Sequence, residues 1–122
     1  MKFCCEKHAL LENINIVLKA VSGKSAVPIL EGILITADDN GTIRLLGNDL
    51  KNAIEASFNG DVSESGKIVL NAKLFYEIVS KLPDGVVLIS GDDNFKTEIQ
   101  LGMTRFEIYG MDPEDYEGRL LK

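Results

Sequence analysis

Lys2-Phe3-Cys4-Cys5 and, 65 residues later, Lys67-Ile68-Val69-Leu70 are the two stretches whose reading decides the fold. Each is a short apolar strand that runs straight into an amphipathic helix. After the first, Leu10, Ile14, Val17 and Val21 fall within about 60° of one another on a helical wheel. After the second, Leu74, Ile78 and Leu82 form the matching stripe. The offset between the copies shrinks to 64 inside the helices, so they drift by one residue. A pattern written twice at this period predicts two equivalent units that share one core.

Outward from each helix come three alternating segments. In the first unit these are strands over residues 33–37, 42–46 and 53–58, with turns at Asp38-Asp39-Asn40-Gly41 and Gly47-Asn48-Asp49-Leu50. In the second they are strands over 86–90, 95–101 and 104–109. Phe95, Thr97, Ile99 and Leu101 alternate there with Lys96, Glu98 and Gln100, the mark of a half-buried strand. Gly23 is expected to cap the first helix in the left-handed region, and Pro28 to hold residues 26–30 extended. Asn71 is expected to cap the second helix, which Pro83-Asp84-Gly85 ends. The connector 59–66 and the charged segment 111–122 read as irregular, the latter as a linker or frayed end. The fold class is α+β: two strand-helix-three-strand repeats with both helices on one face of the sheet.

A chain of 122 residues is one domain able to bury a core without staples. Its 45% hydrophobic and 26% charged content is that of an ordinary globular protein. No apolar run approaches the roughly 18–20 residues that cross a bilayer, and no leader is apparent, so a cytoplasmic location without membrane partners is expected. Cys4 and Cys5 are adjacent, and on a strand they point to opposite faces, which disfavours a bond between them. With His8 the only histidine, no metal site is expected. Asp38-Asp39 and Asp92-Asp93 sit in hairpin turns, where Asp serves turn chemistry. No nucleophile-base pairing and no phosphate-cradling glycine spacing occurs, so neither catalysis nor a cofactor is expected.

The net charge of −6 is unevenly shared. The first helix and its turn, residues 7–24, carry Lys7, Lys19 and Lys24 against Glu12; residues 72–82 carry Lys73 and Lys81 against Glu77. The helices thus hold an excess of three positive charges and the rest of the chain nine negative ones. The charge is segregated by element, and the helices are the basic part.

Several stretches, in order, are similar to the first domain of the bacterial sliding clamp, the beta subunit of DNA polymerase III. They are Met1-Lys2-Phe3, Pro28-Ile29-Leu30-Glu31-Gly32-Ile33-Leu34-Ile35, Leu46-Gly47-Asn48-Asp49-Leu50, Ala72-Lys73-Leu74-Phe75 with Lys81-Leu82-Pro83-Asp84-Gly85, and Arg105-Phe106-Glu107-Ile108. The resemblance covers residues 1–116, leaving 117–122 as a tail or a cut interdomain linker. It implies a DNA-clamp fold and a non-catalytic processivity factor. Each subunit would have three such domains, and two subunits would close a ring around duplex DNA, helices inside and sheets outside. Polymerase and clamp-loader subunits would bind the full-length protein. Lys24 and Lys73, helped by Lys19, would make weak, sequence-blind DNA contacts. Leu74, Met103, Arg105, Phe106 and Ile108 would meet the second subunit, with Phe106 and Ile108 presenting apolar surface. The departure is the tail from Tyr116 on, which is unlike the usual linker. A free-standing acidic protein-binding module or adaptor derived from a clamp is the competing reading.

Overall fold

The computed structural model describes residues 1–23 and 25–120. Among these, nine strands form two antiparallel sheets. The first unit supplies β1 (Lys2–Glu6), α1 (Lys7–Val17), β2 (Gly32–Ala37), β3 (Thr42–Asn48) and β4 (Ala53–Asn59). A short β5 (Asp61–Glu64) leads to the second unit: β6 (Gly66–Asn71), α2 (Ala72–Lys81), β7 (Val86–Gly91), β8 (Lys96–Leu101) and β9 (Thr104–Tyr109). A third helix, α3 (Pro113–Leu120), follows.

The sheet orders are β5-β1-β7-β8-β9 and β4-β3-β2-β6. Each unit therefore lends its first strand to the other. β1 pairs with β7, Phe3 opposite Ile89 and Cys5 opposite Val87; β6 pairs with β2, Ile68 opposite Ile35 and Leu70 opposite Ile33. The single sheet face expected from the repeat is thus two sheets, and both helices pack on their inner sides. One core joins them: Leu10, Ile14 and Val17 of α1, Phe75, Ile78 and Val79 of α2, and inward residues of both sheets.

The repeat extends to the turns. Gly41 N–H donates to the Asp38 carbonyl as Phe95 N–H does to Asp92, and both residues have positive φ, 90° and 67°. Just past β4, Gly60 donates to Gly41; just past β9, Gly110 donates to Phe95. At both places the chain presses on the exchanged strand. A Cβ on Gly60 would lie 2.6 Å from the Cys4 carbonyl oxygen, and one on Gly110 2.9 Å from that of Val69.

The structure departs from expectation at four places. The connector 59–66 contains β5, a strand of one apolar residue that exists because β1 has an edge to pair with, Val62 opposite Phe3. The first helix tightens into a 3-10 turn, Leu18–Ala20, and ends at an extended Val21, so Gly23 is not its cap. Pro28–Glu31 is a 3-10 turn rather than extended, with Pro28 opening it. The tail is neither irregular nor frayed as far as Leu120. Asp112 caps α3 by accepting from Glu114 N–H at 2.9 Å, and Pro113 opens the helix. Leu121 and Lys122 lie outside the described residues.

What holds α3 is Tyr116, fully buried with Ile29, Leu30, Leu34 and Val69 on the outer face of the four-stranded sheet. Its hydroxyl donates to the Leu46 carbonyl at 3.4 Å. A Lys67–Glu117 ion pair at 3.1 Å borders this contact. The Asn71 cap on α2 is present, accepting from Leu74 N–H at 3.0 Å. Cys5 is buried and Cys4 half-buried, both free thiols.

Burial pushes the Tyr116 phenol up to about 12, a hydrogen bond from the Asn48 backbone working weakly the other way. Burial, with a smaller contribution from Cys4, pushes the Cys5 thiol up to about 12 as well. Both groups stay protonated in the folded chain at a pH where the unfolded chain has released the proton. Their contribution is therefore full at neutral pH and drains away as pH rises from about 9 towards 12. Urea unfolding should show stability falling over that interval, with a shallower fall in Tyr116→Phe. At neutral pH Tyr116→Phe should cost about 1 kcal/mol, and Tyr116→Ala about 3–5 kcal/mol. An unchanged midpoint for Tyr116→Ala would mean that α3 contributes nothing.

A second pair of melts tests the pinch points. Gly60→Ala and Gly110→Ala should each lose roughly 1–3 kcal/mol, because the new methyl meets a backbone oxygen that cannot swing aside. Gly118→Ala, where a Cβ meets nothing within 4 Å, is the control and should not destabilise.

Candidate nucleic-acid and subunit interfaces

α1 and α2 lie side by side and run in opposite directions. Lys7 N–H at the start of α1 donates to the Gly85 carbonyl just beyond α2, at 2.9 Å. At the other end, Leu18 and Val21 share a groove of about 300 Å³ with Ala72, Lys73 and Tyr76. This crossing puts Lys19, in the turn after α1, and Lys73, in the first turn of α2, at the same end of the helix pair. Lys73 and Lys19 are both exposed. Lys24, the third residue expected here, lies outside the described residues.

The cations of the sheets and of the helix layer differ in their partners. On the sheets and α3, Arg44 pairs with Asp38, Lys67 with Glu117, Lys96 with Glu107, Arg105 with Glu98 and Arg119 with Asp115, at 3.0 to 3.8 Å. Glu107 and, less strongly, Asp92 raise the Lys96 ammonium above its usual range. Among the described residues, none of Lys7, Lys19, Lys73 and Lys81 on the helix layer has a carboxylate within ion-pair distance. The helix layer therefore keeps its positive charge available, while on the sheet side five cations are paired and only Lys2 and Lys51, among the described residues, are not. Sequence shows the excess of charge; only the fold shows which charges are spoken for.

The other expected site is the rim of the five-stranded sheet. β9 is an edge strand, with β8 on one side and, among the described residues, no strand on the other. Arg105 is exposed and paired with Glu98, and Met103 is fully exposed in the turn before the strand. Leu74, 41% exposed, sits apart on α2. Phe106 is half-buried against the core and opposite Ile99. Ile108 corrects the expectation: it is 9% exposed and belongs to the core, so its side chain presents no apolar surface to a partner. Strand alternation turns both residues inward, and only Phe106 is left partly uncovered. Tyr109, on the opposite face, is the large side chain that β9 does present, 78% exposed.

By the internal repeat β4 is the counterpart of β9, and it is the edge of the other sheet. Its half-buried Ile54, Ala56 and Phe58 occupy the place of Phe106 and Ile108. Neither edge is covered by another described strand, whereas β5 shields the far side of β1 and Met111 bridges to Val69 on the far side of β6. Among the described residues β4 and β9 are thus the two longer open edges, beside the far side of the four-residue β5. The signal for β4 was present in the duplication, but an edge cannot be told from an interior strand until pairing is known.

Residues 1–121 match the family described as the DNA polymerase III beta subunit, N-terminal domain. The chain belongs to that family. The beta sliding clamps of Halalkalibacterium halodurans and Bacillus subtilis are 40% and 39% identical to it, each match covering 95% of this chain and 32% of the relative. A crystal structure of a putative DNA polymerase III beta subunit from Eubacterium rectale superposes with a TM-score of 0.91 at 45% identity, covering 94% of this chain and 31% of that one. The DNA polymerase sliding clamp of Bacillus subtilis gives 0.90 at 37% identity, over 95% and 32%. The chain spans about a third of the length of the curated relatives it matches. The DNA-clamp fold, α+β with two antiparallel sheets, is therefore established for it.

No helix among the described residues is long and apolar enough to cross a membrane. Nor do the described residues bring three or more His, Cys, Asp or Glu together as a metal site would need. Asp92 accepts from Asn94 and Lys96 N–H, which is the turn chemistry expected of it, whereas the Asp38 carboxylate pairs with Arg44 of β3 and Asn40 accepts from Thr42 N–H in that turn.

Burial orders the two β9 residues. In this chain Ile108→Ala should cost about 2–4 kcal/mol and Phe106→Ala clearly less, about 1–2 kcal/mol, since one leaves a cavity and the other trims a half-exposed ring. Urea midpoints of the two variants check the order; equal losses would make Phe106 a core residue and leave β9 no free apolar side chain on that face.

Proposed function

We propose that this chain forms one domain of a ring that encircles duplex DNA and slides on it, serving as a processivity factor for the bacterial replicative polymerase. The observation that carries this is the family match over residues 1–121, together with the unpaired lysines of the helix layer. Lys19, Lys73 and Lys24 touch phosphates from the inner side. β9 meets a second subunit through Arg105, Met103 and the open part of Phe106, and Leu74 contributes to that interface from α2; Ile108 supports the strand from the core. β4 serves the neighbouring domain on the other flank. Polymerase and clamp-loader subunits engage the full-length protein. The role is non-catalytic and cytoplasmic, and topological linkage holds the ring on DNA, so its grip on phosphates can be weak enough to slide.

Few phosphate contacts mean weak binding that does not distinguish sequences and falls with salt. Titrating this chain with duplexes of different sequence at low salt should give equal, weak affinities. Lys19→Glu with Lys73→Glu should weaken binding and lower the salt slope by about one unit for each phosphate no longer neutralised. Sequence preference, or an unchanged affinity in the double variant, overturns the reading.

A further inference from the structure

The groove between the ends of the two helices has a composition that duplex binding does not explain. Phosphates on a duplex need only exposed cations. Here the wall beside Lys73 is apolar: Leu18 and Val21 from the end of α1, and the half-buried ring of Tyr76 from α2. At about 300 Å³ and open on one side, it is at the small end of the range for ligand sites, the size of one flat ring system. Lys73 lines it, and Lys19 follows Leu18 directly. Neither lysine has a carboxylate partner among the described residues. Glu31 also lines the groove, where its carboxylate repels a bare phosphate but can accept from an exocyclic amino group.

Cations outside and an aromatic-apolar slot between them form the arrangement that binds single-stranded nucleic acid: phosphates on the cations, a base on the ring. The geometry points to this groove as a site for one unpaired nucleobase of single-stranded DNA, its flanking phosphates held by Lys19 and Lys73 and its face stacked on Tyr76. The site rests on the DNA reading above and adds to it. A fully paired duplex cannot use the slot, because its bases are already stacked. DNA with an unpaired stretch, such as a template ahead of a primer end, can. The helix layer would then distinguish paired from unpaired DNA without reading sequence.

The probe is a short labelled oligo(dC), chosen for its amino group, compared with a duplex of equal length at the same low salt. The single strand should bind several-fold more tightly. Tyr76→Leu should weaken it about tenfold, in the range that base stacking supplies, while duplex affinity moves by less than twofold. Lys73→Glu should weaken both. A second readout does not depend on Tyr76→Leu folding well. The chain has three tyrosines and no tryptophan, so oligo(dC) stacking on Tyr76 should quench tyrosine emission. In Tyr76→Phe the quench should vanish while affinity is kept. If neither variant alters its readout, yet Lys73→Glu still weakens duplex binding, the groove proposal fails and the DNA reading stands. If Lys73→Glu leaves both ligands unaffected, the DNA reading itself fails and takes the groove with it.

Discussion

The interaction on which the rest depends is the exchange of first strands. β1 is the second strand of a sheet otherwise completed by the second unit, and β6 closes the sheet of the first. Neither unit has a complete sheet by itself, and neither helix has its own private core: Leu10 and Phe75 belong to one cluster that draws on both sheets. The exchange also fixes the antiparallel set of α1 against α2, because each helix leaves a strand already lodged in the opposite sheet. From that crossing follow the placing of Lys19 and Lys73 at one end of the helix pair and the groove between the helix ends. The tight passages at Gly60 and Gly110 belong to the same constraint, since each is where the chain passes closely over an exchanged strand.

Charge is distributed by layer for a physical reason. On the sheets, side chains of neighbouring strands stand side by side, so opposite charges find each other, as Arg105 and Glu98 or Lys96 and Glu107 do. On the helix layer Glu12 and Glu77 are too few for the lysines. A surface pair in water contributes little to stability. The five pairs are therefore better understood as reducing the available positive charge on the sheet side, where Lys2 and Lys51 stay unpaired, than as holding the fold together. A face of sparse, solvated lysines attracts a polyanion without gripping it.

The same logic separates closed surfaces from open ones. The outer face of the four-stranded sheet is sealed by α3 through Tyr116, while β4 and β9 stay open at the rims of their sheets. A long apolar edge is a hazard, and here it is tempered: Ile108 turns into the core, and Arg105 and Glu107 are tied up in ion pairs. Exposed Met103 and Tyr109 bracket the strand. Such an edge suits pairing with a matched neighbour more than indiscriminate association.

By itself the sequence determined the duplication, the two helices, the Asn71 cap and most strand positions, because these follow from local periodicity and local hydrogen bonding. It also carried the family resemblance and the charge excess of the helices. The stripe expected on α2 was misplaced at Leu74, which is 41% exposed while Phe75 is buried. Only the tertiary structure decided that there are two sheets with exchanged strands, since pairing between residues so far apart along the chain leaves no local trace. The same holds for β5, whose composition is that of a loop and whose strand conformation comes from the edge of β1. α3 was half legible: Asp112-Pro113-Glu114-Asp115 is a helix start, but its stability rests on Tyr116 finding a pocket built by Ile29, Leu34 and Val69. Phe106 and Ile108 read alike in sequence and differ in burial, because alternation gives the direction of a side chain and only packing decides what covers it.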